Sequence, residues 1–180
     1  GIGDMLDVVT GYFEEGQGEE EEDNKTRVAI VGKPNVGKSS LINRLIGENR
    51  LIVSDIAGTT RDAVDTLVKH NGKEYVLIDT AGLRRKNKIK EELERYMIVR
   101  TVSAVERADI VILVIDAVEG VTEQDAKIAG IAHERGKAVI IAVNKWDAVE
   151  KNNKTVNEYT DKVRNILSFM PYAEITFISA

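Results

Sequence analysis

Short, nearly continuous apolar runs alternate with longer amphipathic stretches along most of the chain. Arg27 to Gly32 is a β-rich run that closes on a glycine turn, and Ser39 to Ile46 reads as a helix stopped near Gly47. Leu51 to Asp62 is polar and rich in Gly and Thr, the pattern of a loop. Ala63 to Lys69 and Glu74 to Asp79 read as strands on either side of His70-Asn71-Gly72, where Asn-Gly signals a hairpin. Thr80 to Lys90 is a loop and Glu91 to Glu106 a helix. Asp109 to Asp116 and Lys137 to Val143 each hold an unbroken apolar run, Ile110 to Ile115 and Ala138 to Val143, as strands buried on both faces must. Between them, Thr122 to Arg135 carries Ala126, Ile128, Ala129, Ile131 and Ala132 at helical spacing. Val156 to Phe169 is a further helix and Glu174 to Ile178 a last strand. This order predicts an α/β fold in three layers: a mostly parallel sheet, one antiparallel strand from the early hairpin, and helices on both faces.

Composition sharpens the picture only in places. A chain of 180 residues fits one domain, or one domain with a tail. It has no cysteine, which excludes disulfides and thiolate metal sites and is compatible with a reducing cytoplasm. No apolar run approaches the length of a membrane span, so no membrane role is expected. The formal net charge of −5 is unevenly spread. Residues 1–24 hold nine acids, from Asp4 to Asp23, and no Lys or Arg. The other 21 of the 30 acids and all 25 bases lie in residues 25–180, a body that is formally +4. Glu14 to Asn24 cannot bury apolar surface and reads as a solvated linker, either an inert spacer or an acidic docking tail. Upstream of it, Met5, Leu6, Val8, Val9, Tyr12 and Phe13 fall at helix-like spacings. The domain expectation is therefore three-part: 1–13 the end of a preceding domain, 14–25 a linker, and 26–180 the functional body.

Three stretches carry chemistry. Gly32-Lys33-Pro34-Asn35-Val36-Gly37-Lys38-Ser39 matches G-x-x-x-x-G-K-S between a strand and a helix. Glycines let backbone N–H groups converge on an anion, and the helix adds its positive end. Lys38 would meet the β- and γ-phosphates, and the Ser39 hydroxyl, with Ser40 beside it, would face the phosphates and magnesium. Asp79-Thr80-Ala81-Gly82 ends a strand about 40 residues later, where an acid faces the ligand crevice of an open sheet. Asp79 can hold magnesium directly or through water, and the Gly82 N–H can bond a γ-phosphate. In the polar loop between, Gly58-Thr59-Thr60-Arg61-Asp62 offers Thr60 as a magnesium ligand that orders only with a γ-phosphate present. Asn144-Lys145-Trp146-Asp147 follows another buried strand. Asp147 presents two acceptors to the N1–H and 2-amino group of guanine, a donor pair that adenine lacks. Asn144 can bond base and phosphate loop, the stem of Lys145 can lie on the base, and a backbone N–H at Ser179-Ala180 can reach guanine O6. An ATP-using enzyme is opposed by Asp147.

Together these motifs resemble the small GTPases related to translation factors, over about residues 26–180. Asp79-Thr-Ala-Gly-Leu-Arg-Arg-Lys, the run Glu91 to Tyr96, Arg100-Thr101 and Ala104 to Ala108 are similar to the second G domain of the Der (EngA) family. The acidic stretch is similar to the linker between that family's two G domains, and Gly1 to Phe13 to the closing helix of the first. The resemblance implies a P-loop, Ras-like G domain binding GTP or GDP with magnesium. It also implies a role in assembling the large ribosomal subunit, with rRNA, a neighbouring G domain and a KH-like domain as partners. Era and MnmE share several motifs, so an Era- or MnmE-like GTPase acting on rRNA or tRNA is the alternative. Against that pattern the chain stops at Ala180, where a further helix would close the fold, so a monomeric fragment with a shortened base loop is expected.

Leu83 stands where regulatory GTPases place a water-orienting Gln. Either turnover awaits a partner, leaving a nucleotide-binding module, or the Asn35 side chain holds a potassium ion that neutralises the developing charge, as in relatives that pair this Asn with a GTTRD loop. Arg84 to Lys90 holds five bases in seven residues and reads as a solvated loop or an RNA backbone contact. His70 and His133 read as surface or packing residues rather than ligands.

Overall fold

A computed structural model describes residues 5, 7–8, 25–47, 52–57, 64–80, 83 and 93–180. The acidic stretch, the 58–62 loop and the basic segment 84–90 lie outside the described residues. Seven strands form one sheet: β1 (Lys25–Val31), β2 (Ile52–Ala57), β3 (Val64–His70), β4 (Lys73–Leu77), β5 (Ile110–Asp116), β6 (Ala138–Asn144) and β7 (Glu174–Phe177), in the order β2-β3-β4-β1-β5-β6-β7. Among the described residues the main helices are α1 (Lys38–Gly47), α2 (Leu93–Arg107), α3 (Glu123–Glu134) and α4 (Thr155–Ile166). β3 runs antiparallel to both neighbours and every other pairing is parallel. Asn71 and Gly72, both at positive φ, make the hairpin turn between β3 and β4.

The sheet departs from expectation at its edge. Ile52–Ala57 is a strand rather than a loop, paired residue for residue with Val64 to Lys69. An edge strand draws its order from backbone pairing, so it needs no apolar pattern of its own.

β5 explains the continuous apolar runs. Ile110, Ile112 and Val114 enter the core beneath α1, with Leu41, Ile42 and Leu45. Val111, Leu113 and Ile115 enter the opposite core with Val105 of α2, Ile128 and Ala129 of α3 and Val163 of α4. Each such fully buried side chain contributes about 1.5–3 kcal/mol relative to exposure. Met5 is fully buried in the first core, with Val8 packed against it. α3 starts on a capping box: Asp125 N–H donates to Thr122 Oγ1 (3.4 Å) while Thr122 N–H donates to Asp125 Oδ2 (2.9 Å). Because β4, β1, β5 and β6 are parallel neighbours, the segments following all four emerge at one rim of the sheet.

Candidate functional site

The loop after β1 fits only the residues it has. Gly32 lies so close to β5 that a Cβ would sit 2.6 Å from the Val114 carbonyl oxygen. Gly37 has φ +101°, and a Cβ there would fall inside van der Waals contact of the Asn144 amide nitrogen. Asn35, exposed at φ 63°, takes the left-handed turn that Asn tolerates among non-glycine residues. Val36 is buried, while Ser39 and Ser40 are exposed on the first turn of α1. The Lys38 ammonium donates to the Gly32 carbonyl and, at 2.7 Å, to the Lys33 carbonyl, so it lies inside the curl of the loop. Burial lowers this ammonium to about 8, with the charge of Asp125 acting in the other direction.

Lys33 is 5% exposed, and its ammonium pairs with Glu119 at 2.8 Å and Asp125 at 3.7 Å. Asp125 is fully buried, its Oδ1 has no hydrogen-bond partner among the described residues, and burial pushes its carboxyl up against the pull of Thr122 and Lys33. Nothing in the x-positions of the loop motif announces Lys33 as this anchor.

On the other flank, β4 ends at Leu77, two residues before Asp79. Asp79 turns to φ 53°, and its N–H donates to Asp65 Oδ1 at 2.8 Å. Asp79 Oδ2 accepts both Nε (3.0 Å) and Nη2 of Arg100, and Asp79 Oδ1 is buried with no partner among the described residues. Arg107 pairs with Asp65, and the hydroxyls of Thr66 and Thr80 meet at 2.7 Å, so β3, the turn and α2 are stitched together. Neither Arg partner was legible, because both come from α2, far along the chain. The Ser39 hydroxyl donates to the Leu83 carbonyl. Thr60 and Gly82 lie outside the described residues.

The base-reading segment is tied to the phosphate loop. Asn144, fully buried, donates through Nδ2 to the Val36 carbonyl (2.9 Å) and accepts the Ala180 N–H on Oδ1 (2.9 Å). Asn144 thus links the phosphate loop to the backbone that follows β7. Lys145, at φ 62°, donates to the Asn35 carbonyl (2.8 Å) and Asp116 Oδ2 (2.7 Å). Trp146 packs on Phe177 and Tyr159, with ring centroids 4.4 and 5.5 Å away. That anchor leaves Asp147 exposed, with its N–H donating to Ser179 Oγ at 3.1 Å. Arg44 of α1 reaches across to the Ser179 carbonyl. His133 meets Tyr172 Oη at 2.9 Å, and among the described residues no cluster of three His, Cys, Asp or Glu could hold a metal by itself.

The model of the 50S ribosome-binding GTPase family matches residues 27–145. GTPase Der of Agathobacter rectalis is 73% identical over the whole chain, and GTPase Der of Alkaliphilus metalliredigens 59%. The chain spans 41% of the length of these curated relatives. Among solved structures, Era in complex with MgGDPNP and a segment of 16S ribosomal RNA superposes with a TM-score of 0.64 and 32% identity, covering 87% of this chain and 51% of that one. No helix among the described residues is long and apolar enough to cross a membrane. The matched span runs from β1 through the phosphate loop to Lys145, the same segments that the fold gathers at one rim, and with the identities over the whole of this chain it places the chain in the Der family of the 50S ribosome-binding GTPases.

Proposed function

We propose that this domain binds guanine nucleotide with magnesium and hydrolyses GTP to GDP and phosphate, and that this cycle serves assembly of the large ribosomal subunit by the longer, cytoplasmic protein. The observation that carries the reading is the pair of side chains joining the two halves of the rim. Asn144 and Lys145, beside the guanine-type reader Asp147, hydrogen-bond the carbonyls of Val36 and Asn35 in the phosphate loop. A ligand with phosphates at Gly37-Lys38-Ser39 and a base at Asp147 is a guanine nucleotide.

Lys38 exchanges its carbonyl partners for the phosphates, and the loop N–H groups and the start of α1 hold the rest of their charge. The orphaned Oδ1 of Asp79 and the Ser39 hydroxyl are hard oxygen donors of the kind magnesium takes, with Thr60 as a third. Bound there, magnesium would neutralise charge on the β- and γ-phosphates. From its place in the Asp79-to-Gly82 motif, the Gly82 N–H would bond the γ-phosphate. Leu83 cannot orient water through its side chain; a potassium ion held by the Asn35 side chain would supply the missing charge stabilisation. The same leucine supports the second reading, a nucleotide-binding module with negligible turnover in this fragment.

Titration with GDP against ADP tests the base reader, and tighter ADP binding overturns it. Phosphate release with magnesium, in potassium and then in sodium, tests turnover, and bound nucleotide without release favours the module. For the ribosomal role, the five bases among Arg84 to Lys90 support an RNA backbone contact by that segment. If neutralising Arg84 and Arg85 leaves ribosome binding and its salt dependence unchanged in the longer protein, that contact is wrong.

A further inference from the structure

Asp116 belongs to none of the motifs that announce the site, yet it ends β5 at the same rim, directly beside Asn144 in the register. Its two oxygens do different things. Oδ2 takes the Lys145 ammonium at 2.7 Å. Oδ1 accepts the N–H groups of Val118 (2.9 Å) and Glu119 (3.3 Å), closing a turn that sends Glu119 to Lys33 of the phosphate loop. Lys145 bridges Asp116 and the Asn35 carbonyl, from a backbone in the left-handed region. Its side chain is 38% exposed and that of Asp116 14%. A lysine stem that open to solvent has many rotamers, and an anchor at its tip selects among them. Although burial opposes it, the Lys145 contact and the two backbone N–H groups hold the Asp116 carboxyl below its ordinary range, so it is ionised at neutral pH.

We propose that Asp116 is a positioning residue for guanine-nucleotide binding: by holding the Lys145 ammonium it fixes the lysine stem as the platform on which the base lies. The inference rests on the reading of the Asn144-to-Asp147 segment as the base reader. It assigns Asp116 a task distinct from that of Asp147. Asp147 distinguishes one base edge from another, whereas a platform contacts the ring face and strengthens any purine of that shape.

The test is isothermal titration of the full chain with GDP and with IDP, which lacks the 2-amino group that Asp147 would accept. Asp116→Asn keeps an acceptor for Val118 and Glu119 but removes the charge facing Lys145. Both affinities fall together, by about tenfold, with the GDP-to-IDP ratio unchanged. The melting temperature without nucleotide stays within about 2 °C of the parent. Asp116→Glu, which restores the charge, recovers part of the affinity. The double variant with Lys145→Met binds no more weakly than Lys145→Met alone, because Asp116 acts through that side chain. Parental affinity in Asp116→Asn, additive losses in the double variant, or a loss confined to GDP would each overturn the proposal. If Asp116→Asn does not fold, the comparison of Asp116→Glu with the parent and the Lys145→Met background decides by the same criteria. Failure of the parent chain to bind GDP at all would instead refute the base-reader reading.

Discussion

Removing the Asn144 side chain separates the two halves of the site without touching a surface that meets nucleotide phosphates. In Asn144→Ala two hydrogen bonds of 2.9 Å are lost, one to the Val36 carbonyl and one from the Ala180 N–H. They are not equivalent. Asn144 is fully buried and Val36 is 1% exposed, so the Val36 carbonyl is left dry and unpaired. The Ala180 N–H is partly buried and can regain water. An unsatisfied buried group costs about 1–3 kcal/mol and an exposed one much less, so the expected loss is about 2–4 kcal/mol. In urea that is a midpoint lower by about 1–2 M at unchanged slope, measured without nucleotide by circular dichroism. GDP affinity should fall as well, because the carbonyl of Val36 lies between Asn35 and Gly37 in the phosphate loop. Asn144→Asp refines the reasoning. It keeps the acceptor for Ala180 but turns a second oxygen on the Val36 carbonyl, and protonation of the buried carboxyl restores a donor there. An acid whose folded pKa is raised is destabilising at high pH, and stability returns as the pH falls, so this variant should approach the parent between about pH 7 and 5. If Asn144→Ala unfolds at the parental urea concentration and binds GDP within twofold of the parent, the clamp carries no energy and the argument fails.

Gly37→Ala places a Cβ against the Asn144 amide from a left-handed backbone, so it should lose about 2–4 kcal/mol of stability and nearly all GDP binding, while Gly130→Ala, whose Cβ would meet nothing within 4 Å, should bind normally. The Lys38 ammonium, at about 8, must be charged to hold phosphate, so GDP binding should take up protons and weaken as the pH rises above that value. Titrations in buffers of different ionisation enthalpy read the uptake, and a flat affinity from about pH 7 to 9.5 would contradict it. Because burial depresses this base, its cost to folding is present below about 8 and relaxes as the pH rises toward 10.5, so the nucleotide-free protein should gain stability there. Lys33→Met leaves Asp125 buried without its cation, an expected loss of about 3–5 kcal/mol in urea unfolding. Since burial already raises the Asp125 carboxyl, that loss should shrink on acidification, and a loss independent of pH would point elsewhere. Asn35→Ala should abolish potassium stimulation of phosphate release, and equal parental rates in potassium and sodium would remove the case for that ion.

What the sequence could disclose depended on whether a residue's task is set locally. The phosphate loop is legible because strand, glycine turn and helix follow one another, and β5 and β6 because burial on both faces demands unbroken apolar runs. β2 was not, since Ile52–Ala57 owes its form to the backbone of β3. Asp79 was placed at a strand end, but its left-handed turn answers to Asp65 and Arg100, which contiguous reading cannot bring together. Asp116 had a usable signal, an acid at the carboxyl end of a buried parallel strand, which is the same signal that marked Asp79. Lys33 and Arg44 had none, because their partners lie on distant elements.

The bridge from Lys145 to the Asn35 carbonyl and Asp116 is made of protein atoms alone. The distance between the base end and the phosphate end of the cleft is therefore set before any ligand arrives. Ordering entropy on that side is met during folding rather than at each encounter. Nucleotide capture at this rim should therefore require little rearrangement of the bridge itself. The slow, regulated step of a nucleotide cycle would then fall to the opposite flank, where Asp79 is held between Asp65 and Arg100.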